Sequence, residues 1–430
     1  MLKLLKNRNF FTFWIGDFIS VIGDHISLIA FPWLILQMTG SAFMTGMVLA
    51  VQGLPRALLM LPGGALVDRT SPRSVMLWTN FIRFCLVLTL AWLISHDAVD
   101  ITGVFVLALA FGIADAFFYP ASTAILPSLV KKDQLQAGNA IIQMTIHLSI
   151  IIGPVVAGLL IAGSFETSGH DAVDITSSYE KDRQGLARAF YVDAATFAFG
   201  FITLLFTRVR SLHDSLKEGA TSMWQEIKIA IVFVWSIPAV RIAFIGVATF
   251  HLLYQAPVLV GLPVLAKERF AEGALVYGLE MGAYGGGAFI GGLAGGMMRG
   301  FNELKLVKYM FLIFAYSAAT LGMVVLYEPY EWAMFVFFSA GLGDGMVWVL
   351  FIVWVQRLTP EHLLGRVMGL FMFMSIGLLP IANIIMGIIA EIEIEISLLA
   401  ISALMTIICL ICAFHPDGKR LEISEKYKEL

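Results

Sequence analysis

Four carboxylates stand inside long apolar runs of this chain: Asp17, Asp24, Asp115 and Asp344. A charge in such a run costs ~2.5–3.5 kcal/mol on insertion scales, so each calls for a cationic partner, a water-filled cavity or a function. Asp17 and Asp24 are seven residues apart and fall within about 20° of one another around a helix. Ser20 and Ser27 extend them into a polar stripe expected to face a central cavity. A carboxylate whose exposure or partner switches can load and release a proton, which makes these four the proton-coupling candidates. Arg56 and Arg83 are the buried cations at similar depth to Asp115, about 15–21 Å from one end at ~1.5 Å per residue. They are expected to pair with Asp115 or Asp17. A salt bridge that merely holds the bundle is an equal reading. Asp344 has no basic neighbour in its own half and is expected to be open to a proton, water or ligand.

A second group of residues suits a cargo cavity. Trp14, Phe31, Phe250, Tyr254, Gln255 and Trp348 put rings and an amide on spans that would line it, and rings bury area without demanding charge pairing. His147 and His251 could relay protons or touch cargo, against the plainer reading of core histidines bonded to backbone. Glu280 and Arg241 lie near span ends and are expected to snorkel. Cys85, Cys409 and Cys412 read as packing residues. With no His-x-x-x-His pair, no Gly-x-x-x-x-Gly-Lys loop and no nucleophile with its base, no metal, no cofactor and no enzyme chemistry is expected. Nor is a nucleic-acid partner.

The elements that position these groups follow from composition. Of 430 residues, 59% are hydrophobic and 14% charged, too few charges for a water-facing surface. Runs of twenty or more apolar residues predict an all-α integral membrane protein. Twelve spans are expected, starting near residues 9, 41, 74, 101, 138, 189, 237, 273, 306, 331, 363 and 394. Of 28 Lys and Arg, 20 fall in stretches on the side of the termini, which places both termini in the cytoplasm. The first span is read as retained, not as a signal peptide.

A shift of 228 residues lays Gly63-Gly64 on Gly291-Gly292 and Asp133-Gln-Leu135 on Glu361-His-Leu363, and a shift of 229 lays Gly112-x-x-Asp115 on Gly341-x-x-Asp344. This predicts two pseudo-symmetric six-helix bundles, residues 1–207 and 236–414. Between them runs a cytoplasmic linker, 208–235, with Trp224, Ile227, Ile231 and Phe233 spaced for an amphipathic helix. Residues 415–430 form a cytoplasmic tail. The polar segment from Glu166 to Arg188 reads as a flexible external connector.

Between the second and third spans stands Gly64-Ala-Leu-Val-Asp68-Arg69-Thr-Ser71-Pro72-Arg73. It resembles the second-to-third-helix loop of the major facilitator superfamily, with Ser71 and Pro72 in place of the usual Gly and Arg. Gly16 to Asp24, Thr39-Gly-Ser-Ala, Phe118-Tyr-Pro120-Ala, Pro127-Ser-Leu-Val, Gly153-Pro154 and Asp193-Ala-Ala-Thr-Phe extend the resemblance over the whole chain. The branch it is similar to contains macrolide efflux proteins and the enterobactin exporter. The resemblance implies alternating access driven by ion exchange, in the cytoplasmic membrane of a bacterium. It also implies a cytoplasmic gate, in which Gly64, Asp68, Arg69 and Arg73 lock the closed inside and Asp68 meets a helix N-terminus of the other half, with Arg366 and the start after His362 as facing groups.

The function expected is a secondary transporter, a proton-coupled exporter of an amphipathic small molecule such as a drug-like compound or siderophore, working as a monomer. An importer or facilitator on the same cavity is the alternative within transport. A non-transporting receptor or lipid-handling protein is the alternative outside it.

Overall fold

The computed structural model describes residues 4–131, 134–163, 175–209, 223–298, 303–327 and 329–420. Every regular element among them is helical. The helices are α1 (Arg8–Thr39), α2 (Ala42–Arg69), α3 (Pro72–Ser95), α4 (Ile101–Ala124), the single turn α5 (Leu126–Leu129), α6 (Leu135–Ala162), α7 (Ile175–Phe206) and α8 (Met223–Ser236). There follow α9 (Pro238–Phe250), α10 (Leu262–Arg269), α11 (Gly273–Met297), α12 (Glu303–Leu326), α13 (Tyr330–Leu358), α14 (Glu361–Met372), α15 (Leu379–Ala390) and α16 (Ile394–Ala413).

Local chemistry sets the ends. The Asn7 side chain accepts from the Asn9 and Phe10 amides to start α1, and Gly40, at φ 66°, ends it by donating to the Leu36 carbonyl. Ser41 caps α2 and Asp100 caps α4 through their side chains, while Pro72 opens α3 at a position whose amide would have no helical partner. π-helical turns at His251–Gln255 and Pro257–Gly261 join α9 to α10, and one at Phe373–Gly377 joins α14 to α15.

Among the described residues eleven helical stretches are long and apolar enough to cross a membrane, among them Pro238–Arg269 and Arg366–Ala390, each running through π-helical turns. The expected span outside these eleven is the eighth, α11, with 25 residues. It is long enough but rich in glycine, which lowers its mean hydropathy. Apart from the sixth span, helix starts lie within three residues of those expected. The sixth departs: α7 begins at Ile175, so much of the expected connector to Arg188 is helix. This polar extension is tethered where Gln37 Nε2 donates to Asp182 Oδ2 at 2.6 Å and Arg183 Nη1 donates to the Ile94 carbonyl at 2.8 Å.

The chain divides into two compact units, Met1–Lys217 with Leu262–Gly282, and Glu218–Gly261 with Ala283–Leu430. In the first, α1 packs on α6 and α7, α2 on α4, and α3 on α4 and α7. The segment 262–282 belongs to it: Lys267 Nζ donates to the Leu36 carbonyl at 2.7 Å, and Gly278 lies against the Pro154 carbonyl. In the second unit α12 packs on α13 and α16, and α14 packs on α8. After α16 a 3-10 turn, Pro416–Lys419, returns to α9. There Arg241 pairs with Asp417 at 2.9 Å and the Ala239 amide donates to the Arg420 carbonyl at 3.1 Å.

The sequence repeat has a counterpart in each unit. A Cβ at Gly112 of α4 would lie 2.0 Å from the Gln52 carbonyl oxygen of α2, and one at Gly341 of α13 would lie 2.1 Å from the Tyr284 carbonyl oxygen of α11. In both places the missing side chain lets two backbones close up, as small residues do between membrane helices.

Candidate functional site

In the first unit the charged residues of four helices meet. Arg83 of α3 pairs with Asp24 of α1 and stands 3.6 Å from Asp115 of α4, which also pairs with Arg56 of α2. The Arg83 side chain is 0% exposed, whereas Asp24 keeps 29%, Asp115 14% and Arg56 32%. Arg83 is thus the sealed floor of the cluster, and the groups around it reach the surface of the unit. Its guanidinium carbon lies 4.2 Å from the ring centre of Phe197, 4.5 Å from Phe118 and 5.3 Å from Phe111. Among the described residues Arg83 Nε and Nη1 have no hydrogen-bond partner, so ring faces take the place of part of its hydration. Losing either acid would leave this cation short of charge where water does not compensate.

Asp17 is half-buried and makes no ion pair among the described residues. The expected stripe splits. Ser20 and Ser27 are 1% exposed and turn toward α7, because residues three apart on a helix differ by about 60° in direction. Ser27 Oγ donates to the carboxyl of Asp193, a fully buried acid of α7. Sequence reasoning passed over Asp193, although the rule that singled out the other four carboxylates applies to it equally.

The second unit holds Asp344 of α13 in a different setting. It is 6% exposed, and its two oxygens accept from Ser317 of α12 at 2.7 Å and from the Tyr284 hydroxyl of α11 at 3.1 Å. No cation pairs with it among the described residues. A shift of 228 residues maps Arg56 onto Tyr284, so the carboxylate and its partner occupy matching places in both units, charged in one and hydroxyl in the other. Tyr284 and Ser317 carry no charge, which is why reading charges along the chain missed them.

The remaining candidates scatter. Phe250, Tyr254 and Phe314 stack at 4.6–4.8 Å, and His251, on the π-helical turn, lies 5.8 Å from Trp348, which is 5.0 Å from Phe371. His251 Nδ1 is 2.9 Å from the Val247 carbonyl oxygen, the core-histidine arrangement. Gln255 is half-buried on the same turn. In the first unit Phe31 packs on Phe111 and Phe190, while Trp14 donates to Thr145 at 2.7 Å, and His147 is half-buried on α6. Glu280 is 3% exposed and so does not snorkel. At the end of α2 the side chains of Asp68, Arg69 and, farther on, His362 lie outside the described residues, and Gly64 has open space beside it. Arg73 donates at 2.9 Å to the Leu204 and Leu205 carbonyls, satisfying the last turn of α7.

Comparison with known proteins agrees with this architecture. The chain is 24% identical over 412 residues to the multidrug efflux pump Tap of Mycolicibacterium fortuitum, covering 94% of this chain and 95% of Tap. It is 23% identical over 426 residues to macrolide efflux protein A of Streptococcus pyogenes, covering 96% and 97%. Among solved structures, a peptide transporter POT in complex with sulfate superposes with a TM-score of 0.72 over 97% of this chain and 96% of that one, at 14% identity, a likeness of fold alone. The Major Facilitator Superfamily matches residues 13–382. A helical membrane bundle with repeated halves and buried charges thus belongs to that superfamily of transporters.

Proposed function

We propose that this chain is a proton-coupled exporter of amphipathic small molecules, acting as a monomer by alternating access. Its halves would be residues 1–207 and 236–414, joined by the linker 208–235, with both termini on the cytoplasmic side of a bacterial inner membrane. The observation that carries this is the Asp24–Arg83–Asp115–Arg56 cluster, a sealed cation shared by two acids that remain reachable. A proton arriving on Asp24 cancels its attraction to Arg83 and loosens the tie between α1 and α3. Arg83 then leans on Asp115 alone, and its hold on Arg56 changes in turn. Protonation is thereby coupled to how four helices are pinned together. Drug-efflux relatives matched over nearly their whole length support cargo of that class, and the rings of the second unit, from Phe250 to Trp348, suit it. Asp17 and Asp344 are the further candidates for proton exchange. Asp68, Arg69 and Arg73 would form the cytoplasmic gate.

The test is uptake of a radiolabelled macrolide by inverted membrane vesicles with an acid interior. Export by proton antiport gives accumulation that collapses when the pH gradient is discharged, and Asp24→Asn loses that dependence while still binding the macrolide. Equilibration indifferent to the gradient would instead mark a facilitator. Macrolide binding with no transport in either direction would favour the receptor reading.

A further inference from the structure

The cluster of the first unit has more acid than base. Asp24 and Asp115 pair with Arg83 and Arg56, two acids to two bases, and Asp193 adds a third acid one helix turn from Phe197, whose ring lies under Arg83. Asp24 and Asp115 each hold a guanidinium. Asp193, with 0% exposure, holds hydroxyls only.

Those hydroxyls show where a proton fits. Ser27 donates to Oδ2. Thr196 Oγ1 has one proton to give, and at 2.7 Å from the Asp193 backbone carbonyl it is committed there. Asp193 Oδ1 lies 3.4 Å from the same hydroxyl, beyond the usual reach of an O–H···O bond, so that oxygen has no close donor among the described residues. A fully buried carboxylate with one close hydroxyl donor and no ion pair among the described residues is poorly compensated, whereas a carboxylic acid with its proton on Oδ1 needs only the bond from Ser27. The backbone is shaped around the same group: a Cβ at Gly23 would lie 2.0 Å from Thr196 Oγ1 and 2.3 Å from Asp193 Oδ1. The helices packed against α7 bring Asp17, Asp24 and His25 from α1, Arg83 from α3 and His147 from α6, while Asp115 of α4 lies beyond Arg83.

We propose that Asp193 holds a resident proton, as a neutral carboxylic acid that fastens α7 to α1 through Ser27 and leaves Asp24 and Asp115 balanced against Arg83 and Arg56. Asp193 is then a positioning residue. It does not exchange protons, and it sets the charge that makes Asp24 the group that does. The second part rests on the proton-coupled reading above, and the first part does not.

Infrared difference spectroscopy of the purified protein in lipid at neutral pH, without cargo, tests the first part. Wild type minus Asp193→Asn is expected to show loss of a hydrogen-bonded carboxylic-acid carbonyl band, and Ser27→Ala to move that band to higher frequency as its donor goes. Loss of a carboxylate stretch instead, with the acid region unchanged, would overturn the proposal. If Asp193→Asn fails to fold, the Ser27→Ala shift decides alone, and its absence counts against the resident proton. In macrolide transport Asp193→Asn, which keeps one donor and one acceptor, is expected to leave the pH profile unchanged. A displaced profile would overturn the positioning role. The acid band present in a protein that transports nothing would uphold the resident proton and sink the transport reading.

Discussion

The two units place a carboxylate on matching helices, yet treat it in opposite ways. Asp115 of α4 sits between two guanidinium groups, and Asp344 of α13 between two hydroxyls, although the glycine three residues earlier brings each helix against a neighbouring carbonyl at nearly the same distance. The close backbone approach is common to both units and the polar chemistry is not. An ionic cluster loses a great deal when one member leaves, because what remains is an uncompensated buried charge, whereas a hydroxyl-bonded acid can go neutral and lose little. On the function proposed above, the first unit is the one in which protonation is coupled to helix packing.

The largest expected effect follows from that asymmetry. Arg83→Leu takes the cation from Asp24 and leaves Asp115 to Arg56 alone, and is expected to cost about 3–5 kcal/mol, enough to remove most folded protein. Asp344→Leu leaves only the Ser317 and Tyr284 hydroxyls without an acceptor and is expected to cost about 1–3 kcal/mol. Fluorescence-detected size exclusion after a heating series measures both. Equal losses would break the distinction between the units.

The backbone half of the comparison has its own test. Gly112→Ala and Gly341→Ala each force a methyl toward a carbonyl oxygen and are expected to destabilise by similar amounts, about 1–3 kcal/mol. Melting temperatures of the two variants in one detergent should fall together. A clear drop in one alone would mean that the repeated Gly-x-x-Asp pattern reflects text and not packing.

Much of this was legible in the sequence, for physical reasons that also explain what was not. Helix starts at Pro72, Ile101 and Gly273 could be read because a proline, a capping aspartate and a glycine interrupt the apolar runs beside them. The start of α7 at Ile175 could not, since a polar helix held by Gln37 and Arg183 has the composition of a loop. Buried charges announced themselves by their cost, so Asp24, Arg56, Arg83 and Asp115 were found before their contacts were. Which acid met which base was not legible, because a seven-residue spacing fixes a helix face but not the neighbour it meets. That is why Ser20 and Ser27, expected beside the aspartates, turned out to serve α7.

The smallest expected effect sharpens the comparison most. Tyr284→Phe removes one hydroxyl from Asp344, and hydrogen bonds between membrane helices average ~0.6 kcal/mol, so stability should barely change. Tyr284→Arg instead rebuilds the charged arrangement of the first unit, placing a guanidinium where the repeat has Arg56. If Asp344 then pairs with it, adding Asp344→Asn to Tyr284→Arg should cost markedly more than Asp344→Asn alone in a double-mutant cycle. That coupling would show that the second unit keeps the geometry for an ion pair and has only exchanged its chemistry. Additive effects would mean that Tyr284 and Asp344 meet by packing alone, and that the likeness between the units ends at the backbone.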